Sequence, residues 1–263
     1  MIFLIVISYS LSKPQNKITT EITIEEQLKK QKNYQEQNLK RYLNYYKNHN
    51  LKLEDIILYV NIGLDYDFYE NTKESKELNK PTIIVNKYIK LPSNYIPNNL
   101  EKISKEFSSK EILLEKNTKL NFENLAKDAK TNNLNIIAIS GYRSYEYQNN
   151  LYNNYLKQDS KESVDTYSAR PGHSEHQTGL AIDISNNQVP YTQFDTTKEY
   201  LWLEENSYKY GFIIRYPKYK EHITGYNYEP WHIRYVGYEI AEYIMKNNIT
   251  YEEYYYTFLN KKM

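Results

Sequence analysis

The amino-acid sequence predicts an α+β fold, and two observations support this prediction. Short β-branched or aliphatic runs, which are typical of strands, are mixed irregularly with longer helical patterns. The long, regular alternation of strand and helix that marks a doubly wound sheet is missing. With 263 residues, the chain has room for one or two domains.

Composition excludes several classes of protein. The formal net charge is +1, from 34 Lys and Arg against 33 Asp and Glu, so we expect no nucleic-acid partner. A mean hydropathy of −0.83 excludes a polytopic membrane protein. The chain contains no cysteine, which excludes disulfide scaffolds, thiolate metal sites and cysteine nucleophiles. A metal site would therefore be built from His, Asp and Glu.

Residues 1–19 are interpreted as the remnant of an export signal or membrane anchor with its linker, because the first nine residues are apolar. A helix of a dozen residues spans only about 18 Å, whereas a bilayer core is about 30 Å thick. Two alternatives stay open: a weak export signal that is complete as it stands, and a buried strand. We favour the remnant because residues 10–23 are polar, as expected after an export segment.

Residues 20–80 are predicted to form a helical extension in front of the main domain. A capping box at Thr23–Glu26 opens a helix predicted over residues 24–48. A second helix is predicted over residues 53–62 and ends at Gly63. The extension is either a spacer from the membrane or an appendage that packs on the main domain.

Residues 81–248 are predicted to form the main domain, and residues 249–263 a C-terminal helix. Aliphatic and β-branched runs predict short strands at residues 82–85, 134–140, 180–184, 212–215 and 231–236. Helical spacing and capping predict helices at residues 121–130, 144–158, 197–210 and 238–246. A second capping box, at Thr250 and Glu253, opens the C-terminal helix.

The histidines are concentrated in one part of the chain, with four of the five between residues 173 and 232. His176 and Asp183 would lie about 10 Å apart along one helix, whereas both must lie about 2 Å from a shared zinc ion. We therefore predict that His176 lies in a loop, that Gly179 permits a turn, and that Asp183 points from the next strand to the same place. The alternatives are a hydrogen-bonded structural histidine and an aspartate that caps a turn.

Glu229 and His232 lie three residues apart. Pro230 disfavours a helical conformation at Glu229, and positions i and i+3 of a regular strand point to opposite faces. We therefore predict a bend at the start of the strand, where the two side chains can converge. The alternative for Glu229 is an ion pair with Arg234 or Arg215.

His176, Asp183 and His232 would together form a site of three protein ligands with one open position, as a catalytic zinc requires. Glu229 would not ligate the metal and would act as the general base. The chain has no HExxH pattern, which excludes helix-borne zincin geometry.

Arg143 follows the predicted strand at residues 134–140, at its junction with the next helix. Its guanidinium group can bind a carboxylate through two hydrogen bonds and can stabilise an oxyanion. The alternative is a surface arginine paired with Glu146.

Around these residues the sequence resembles the VanY-type D-alanyl-D-alanine carboxypeptidases. They are zinc metallopeptidases, in a wider group with the lysostaphin-type enzymes and the hedgehog zinc domain. The matching segments keep the order of the family over residues 82–246. They read SGYRS at 140–144 with Gln148, ARPGHSEHQTGLAID at 169–183, YGFIIRYP at 210–217, ITGY at 223–226 and EPWH at 229–232.

The resemblance implies a small, mostly antiparallel sheet flanked by helices, of the hedgehog and D-Ala-D-Ala peptidase type. The implied ligands of Zn²⁺ are His176, Asp183 and His232. Glu229 is implied as the base, and Arg143 as the residue that holds the substrate carbonyl as it becomes an oxyanion. The residues that the resemblance places at or near the substrate are Gln148, Ser174, Arg170 and Tyr228. His173 and His222 have no ligand role in the pattern, and Trp231 is expected to pack under the ligand strand.

The implied activity is zinc-dependent removal of the C-terminal D-alanine from peptidoglycan stem peptides. Related sequences act as L,D-carboxypeptidases or endopeptidases, and the specificity pocket rather than the zinc site decides between these activities. A non-catalytic wall-binding module is a further hypothesis, but the presence of Glu229 argues against it. Three ligands rather than four argue against a structural zinc domain. We expect a monomer on the extracellular face of the cell envelope, either secreted or anchored.

Overall fold

The computed structural model of the protein describes residues 22–260. Its helices are α1 (Ile24–Lys29), α2 (Leu39–Asn48), α3 (Leu53–Ile62), α4 (Lys116–Thr131), α5 (Tyr145–Tyr155), α6 (Lys161–Tyr167), α7 (Lys198–Asn206), α8 (Glu221–Thr224), α9 (Tyr238–Asn247) and α10 (Tyr251–Tyr254). Its strands are β1 (Lys73–Glu74), β2 (Ile89–Lys90), β3 (Leu100–Lys102), β4 (Leu113–Glu115), β5 (Ile137–Ser140), β6 (Ala181–Ser185), β7 (Phe212–Tyr216) and β8 (Glu229–Tyr235). Helices mixed with small, mainly antiparallel sheets confirm the predicted α+β fold.

A four-stranded antiparallel sheet, with the strand order β5-β6-β8-β7, positions the site. Asp183 of β6 lies directly opposite His232 of β8 in the register. The neighbouring residues Ile182, Ile184 and Ile233 point to the other face, where they join the buried cluster that includes residues of α4 and α7. The sheet therefore has an apolar face toward the core and a polar face that is free for chemistry.

The continuous helix predicted over residues 24–48 is wrong. The chain forms α1, leaves the helical path near Asn33, which has a φ of +63°, and then forms α2. Leu28 of α1 and Tyr42 of α2 are both fully buried in a cluster with Val60 of α3. The break lets both segments pack on α3.

The strand predicted over residues 82–85 is also wrong, although Ile83 and its neighbours are buried. The carbonyl groups of Pro81 and Ile83 accept hydrogen bonds from Nη2 of Arg234, at 3.0 and 2.7 Å. A buried side chain thus satisfies the backbone groups that a neighbouring strand would otherwise pair.

The other predicted elements are present with shifted ends. α4 starts at Lys116 because the Glu115 carboxylate caps it. The helix predicted over residues 197–210 is α-helical only to Asn206 and continues as a 3-10 turn to Tyr210. The predicted capping boxes at Thr23 and at Thr250 are both formed.

A second buried cluster joins α3 and the C-terminal segment to the sheet. It contains Ile62 of α3, Ile213 of β7, Ala241 of α9, and Tyr251 and Tyr256 of the C-terminal segment. Over the described residues, the extension therefore packs on the main domain, as the second of its two hypotheses predicts.

The apolar run at residues 1–9 lies outside the described residues, so its interpretation as a signal or anchor remnant stays a prediction. Within residues 22–260, no helix combines the length and the hydropathy that crossing a membrane requires.

Candidate metal centre

Most of the predicted site residues lie in a cleft of about 440 Å³ on the polar face of the sheet. The three predicted ligands, Glu229 and Arg143 all line this cleft. Much of its remaining wall is aromatic, with Tyr147, Tyr155, Tyr167, Tyr191 and Trp231. The cleft therefore combines a polar, ionisable part with walls suited to an extended organic substrate.

The three predicted metal ligands converge. His176 lies in the 3-10 turn Glu175–Thr178, Asp183 in the middle of β6 and His232 in β8. One ligand atom of each lies within 4.8 Å of the other two. Oδ2 of Asp183 is 3.3 Å from Nε2 of His176, and its Oδ1 is 3.2 Å from Nδ1 of His232. Gly179, in the left-handed region at a φ of +70°, makes the predicted turn between loop and strand.

The backbone sets the orientation of the His176 ring. Nδ1 lies 2.7 Å from the carbonyl oxygen of Gly141, and a carbonyl can only accept, so Nδ1 carries the proton. Burial, followed by the neighbouring Arg143, lowers the pKa of His176 to about 4. The ring is therefore neutral, with the lone pair of Nε2 directed at the site, which is the form that binds a metal.

His232 differs from His176 in its proton affinity. Burial opposes charge on its ring, but the nearby carboxylates of Asp183 and Glu175 outweigh burial and raise the pKa of His232 to about 9. Since only a neutral imidazole ligates a metal, binding of a cation at this site is coupled to loss of the His232 proton.

Glu229 is the first residue of β8, at a point where the pairing of β8 with β7 is irregular. Tyr216 pairs with Glu229 and Ile214 with Ile233, so one residue of β7 faces three of β8 between these pairs. This bulge turns Glu229 and His232 to the same side, with Oε2 of Glu229 3.5 Å from Nδ1 of His232. Burial raises the pKa of Glu229 to about 7, although the nearby His232 opposes the rise. A carboxyl group with this pKa both accepts and donates a proton readily near neutral pH.

Arg143 points into the site from the turn after β5. Its Nη2 donates to Oδ2 of Asp183 at 2.6 Å and lies 2.8 Å from Nε2 of His176. Its Nη1 donates to Oε1 of Gln148 at 3.3 Å. Because its ion pair is with Asp183, the alternative of a surface pair with Glu146 is wrong.

A buried carboxylate to which the sequence analysis gave no role lies behind His232. Oε2 of Glu175 is 3.7 Å from Nε2 of His232. Its Oε1 accepts from Nε of Arg215 at 2.8 Å and from Nη1 of Arg234 at 2.6 Å. Although burial opposes charge, these two guanidinium groups lower the pKa of Glu175. The arginines that were the alternative partners of Glu229 thus bind Glu175, whose carboxylate orients the His232 ring.

The predicted substrate contacts divide into two groups. Gln148 and Ser174 are buried and line the cleft. Arg170 and Tyr228 are not among the residues that line it: Arg170 binds Asp165 through Nε at 3.0 Å and Nη2 at 2.6 Å, and the ring of Tyr228 lies beneath the ammonium group of Lys218.

The prediction that Trp231 packs under the ligand strand is wrong. It is half-buried, lines the cleft and lies edge-on to Tyr191, with ring centroids 5.0 Å apart. His173 and His222 are not in the ligand group, as predicted: Nδ1 of His173 lies 2.7 Å from the carbonyl oxygen of Asn86, and His222 is exposed.

The donor set fits a zinc ion. Two imidazoles and a carboxylate are donors that zinc binds, and three protein ligands leave one position for water or substrate. The other nitrogen of His176 is bonded to the carbonyl oxygen of Gly141, and the other nitrogen of His232 faces the Glu175 carboxylate at 3.7 Å. Such a donor set beside a buried carboxylate, on a small α+β domain, is typical of zinc hydrolases.

Comparison with known proteins then gives the family. Residues 111–238 match the family model VanY: D-alanyl-D-alanine carboxypeptidase. The chain is 42% identical over 179 residues to the putative carboxypeptidase YodJ of Bacillus subtilis (strain 168), a match that covers 65% of this chain and 66% of that protein. It spans less than half of two further relatives, 46% and 44% of the D-alanyl-D-alanine carboxypeptidases of Enterococcus faecalis and Enterococcus faecium.

Two solved structures are similar over most of their own length. The LdcB LD-carboxypeptidase is 39% identical, with a TM-score of 0.65, over 71% of this chain and 90% of that one. A vancomycin resistance D,D-pentapeptidase VanY in complex with Zn(II) is 35% identical, with a TM-score of 0.56, over 66% of this chain and 98% of that one. The chain belongs to the VanY family of D-alanyl-D-alanine carboxypeptidases.

Proposed function

We propose that the protein is a zinc-dependent carboxypeptidase that removes the C-terminal D-alanine from peptidoglycan stem peptides. The observation that carries this proposal is the convergence of His176, Asp183 and His232 beside the buried Glu229 in an open cleft. The family supports the substrate class, and the Zn(II) complex of a similar enzyme supports the metal.

In this proposal the side chains of the cleft divide the chemistry between them. Glu229 takes a proton from the attacking water and returns it to the leaving amine, and a pKa near 7 suits both transfers. Arg143 stabilises the negative charge that develops on the scissile carbonyl oxygen. Gln148 and Ser174 contact the terminal residue of the substrate. Zinc, when bound, supplies Lewis-acid activation of the carbonyl and of the water.

L,D-carboxypeptidase activity is the second candidate function, supported by the similarity to the LdcB LD-carboxypeptidase. The two activities differ in the residue before the scissile bond, which is D-alanine in one case and an L-residue in the other. Tyr147, Tyr191 and Trp231 line the cleft walls, and we propose that they contact that residue.

We also propose that the protein acts on the outer face of the cell envelope, because its peptidoglycan substrate lies there.

The test is mass spectrometry of stem pentapeptides and tetrapeptides incubated with residues 20–263 and Zn²⁺. We expect loss of one D-alanine from the pentapeptide. Glu229→Gln should bind zinc but lose turnover by about 10²-fold or more, because only the base is removed. The exposed Glu205→Gln serves as the matched control and should keep full activity.

Other outcomes select another function. Loss of alanine from the tetrapeptide alone would make the protein an L,D-carboxypeptidase. Zinc binding without release of alanine from either peptide would favour an endopeptidase or a wall-binding module. Unchanged zinc content in His176→Ala would contradict the ligand set, and full turnover by Glu229→Gln would contradict the role of the base.

A further inference from the structure

The C-terminal segment contributes a charged side chain to the interior of the catalytic domain. Glu252 of α10 is 1% exposed and binds Arg215 through two hydrogen bonds, from Nη1 to Oε2 at 2.9 Å and from Nη2 to Oε1 at 2.6 Å. Nδ2 of Asn86 donates to the same carboxylate at 3.3 Å. α10 lies beyond residues 111–238, the part of the chain that matches the family model.

Glu252 completes a buried ion network of four side chains, namely Glu175, Arg215, Arg234 and Glu252. The side chains of Glu175, Arg215 and Arg234 are 0% exposed. Glu175 alone would face two guanidinium groups, which leaves one positive charge in excess. With Glu252 the network contains two charges of each sign, and each arginine has a carboxylate partner. A buried charge without a partner is strongly unfavourable.

The network ends at a predicted metal ligand. The free oxygen of Glu175, Oε2, faces Nε2 of His232 at 3.7 Å, and neither of these two buried atoms has a hydrogen-bond partner among the described residues. A proton on Nε2 directed at Glu175 leaves the lone pair of Nδ1 for the site, on the side of Asp183. The position of Glu175 therefore selects both the orientation and the tautomer of the His232 ring.

We propose that Glu252 is a positioning residue for the metal ligand His232, so that the C-terminal segment is a working part of the metal site. Glu252 shares Arg215 with Glu175, and so determines how strongly Arg215 draws the Glu175 carboxylate away from the ring. The inference rests on the metal site proposed above and adds a residue that does not touch it.

The test compares Glu252→Gln with Glu253→Gln, the same substitution one residue further along α10. Glu253 is also buried and caps the helix, but its ion pair is with Lys220 and not with the network. Zinc affinity is measured on zinc-free protein by competition with a chromophoric chelator. We expect about tenfold weaker binding for Glu252→Gln, the lower end of the range for groups around a metal ligand, and a change within about twofold for Glu253→Gln.

A second measurement separates positioning from loss of stability. The ¹⁵N chemical shifts of the His232 ring report its tautomer, and we expect them to change in Glu252→Gln and not in Glu253→Gln. If Glu252→Gln does not fold, Glu252→Asp keeps the charge at a shorter reach and should show a smaller change of the same kind.

Equal zinc affinity and unchanged His232 shifts in the folded Glu252 variant would overturn the inference while leaving the metal site intact. Equal losses in Glu252→Gln and Glu253→Gln would reduce Glu252 to a stabilising role and also overturn it. Failure of the unaltered protein to bind zinc would instead refute the proposed function.

Discussion

The guanidinium group of Arg143 connects parts of the site that are far apart in the sequence. Its two terminal nitrogens reach Asp183 at 2.6 Å and Gln148 at 3.3 Å simultaneously. A lysine presents a single ammonium group on a flexible chain and cannot hold both acceptors in fixed geometry. A conservative substitution to lysine would therefore remove the pair of terminal nitrogens with which Arg143 binds both acceptors.

Arg143→Lys should lower kcat on the stem peptide by about 10²-fold, the typical effect of losing one donor to a developing oxyanion. KM should change much less, because the interaction strengthens mainly in the transition state. Steady-state kinetics measure both constants, and the zinc content of the variant confirms that the site is intact. A kcat equal to that of the unaltered protein would show that Arg143 does not stabilise the transition state.

At this scale the sequence predicted the residues whose roles depend on local spacing or on a family pattern. Asp183, His232 and Glu229 are of this kind, and the structure brings them together. Glu175 lies beside His176 in the same segment, yet its role was missed. Its partners Arg215 and Arg234 are 40 and 59 residues away, and no local pattern indicates such a pairing.

The turn between β5 and α5 is tightly packed around Gly141. A Cβ atom at Gly141 would lie 2.5 Å from Cγ2 of Ile112 and 2.7 Å from the carbonyl oxygen of Leu113. The carbonyl oxygen of Gly141 is also the partner of Nδ1 of His176. Close packing at this turn therefore fixes the orientation of a predicted metal ligand.

Gly141→Ala should lower the free energy of unfolding by about 1–3 kcal/mol, as expected for overpacking. It should also weaken zinc binding, because the displaced carbonyl no longer orients the His176 ring. Gly237→Ala is the control for a loss of stability without a steric clash: its φ of +88° and ψ of 159° are nearly restricted to glycine, so alanine adds backbone strain of about 1–3 kcal/mol, but a Cβ there meets no atom within 4 Å. Urea unfolding and zinc titration of both variants check this, and unaltered zinc affinity in Gly141→Ala would contradict it.

Helices whose ends are marked in the sequence by a capping residue or a glycine were predicted well. α3 runs from Leu53 to Ile62 and ends at Gly63, and Ser144 caps α5, both as the sequence indicates. The break near Asn33 was missed because its cause is tertiary, namely the packing of α1 and α2 on α3. The false strand at residues 82–85 has the composition of a strand, but Arg234 binds its carbonyls.

On the scale of the whole molecule, the helical extension shares a core with the catalytic domain. Deleting residues 1–63 removes the buried Ile62 and the half-buried Leu58 from that core. We expect a loss of about 3–5 kcal/mol in the free energy of unfolding, measured by urea denaturation. Deletion of residues 1–21, which lie outside the described residues, is the reference against which the further loss is measured. Equal stability of the two shortened proteins would show that the extension is only a spacer.

Lys87 gives the fold a pH dependence away from the metal ligands. Its side chain is buried between the rings of Tyr69 and Tyr226, with Nζ donating to the carbonyl oxygen of Asp165. Burial lowers the pKa of Lys87 to about 7, whereas the unfolded chain keeps the ordinary value of about 10.4. Between these pH values the unfolded state binds one more proton, so this group makes the free energy of unfolding rise with pH.

Lys87→Met should therefore flatten the rise in stability between pH 7.5 and 9, removing up to about 1.4 kcal/mol per pH unit. Below pH 7 both states carry the proton, and the two slopes should converge. Urea unfolding at several pH values measures this, with the half-buried Lys90→Met as the control. Parallel pH profiles for the unaltered protein and Lys87→Met would show that the buried ammonium does not lose its proton in this range.

The contact between Glu252 and Arg215 also has a consequence for biosynthesis. α10 follows all three predicted ligands, the base and both buried arginines along the chain. A nascent chain that has emerged only to β8 contains every group that the chemistry needs, but its interior has one cation in excess. The ribosome must translate the segment that neutralises this charge before the domain reaches its native ion balance. Productive folding of the catalytic domain is thus expected to wait for the synthesis of α10 rather than to be complete once β8 has emerged.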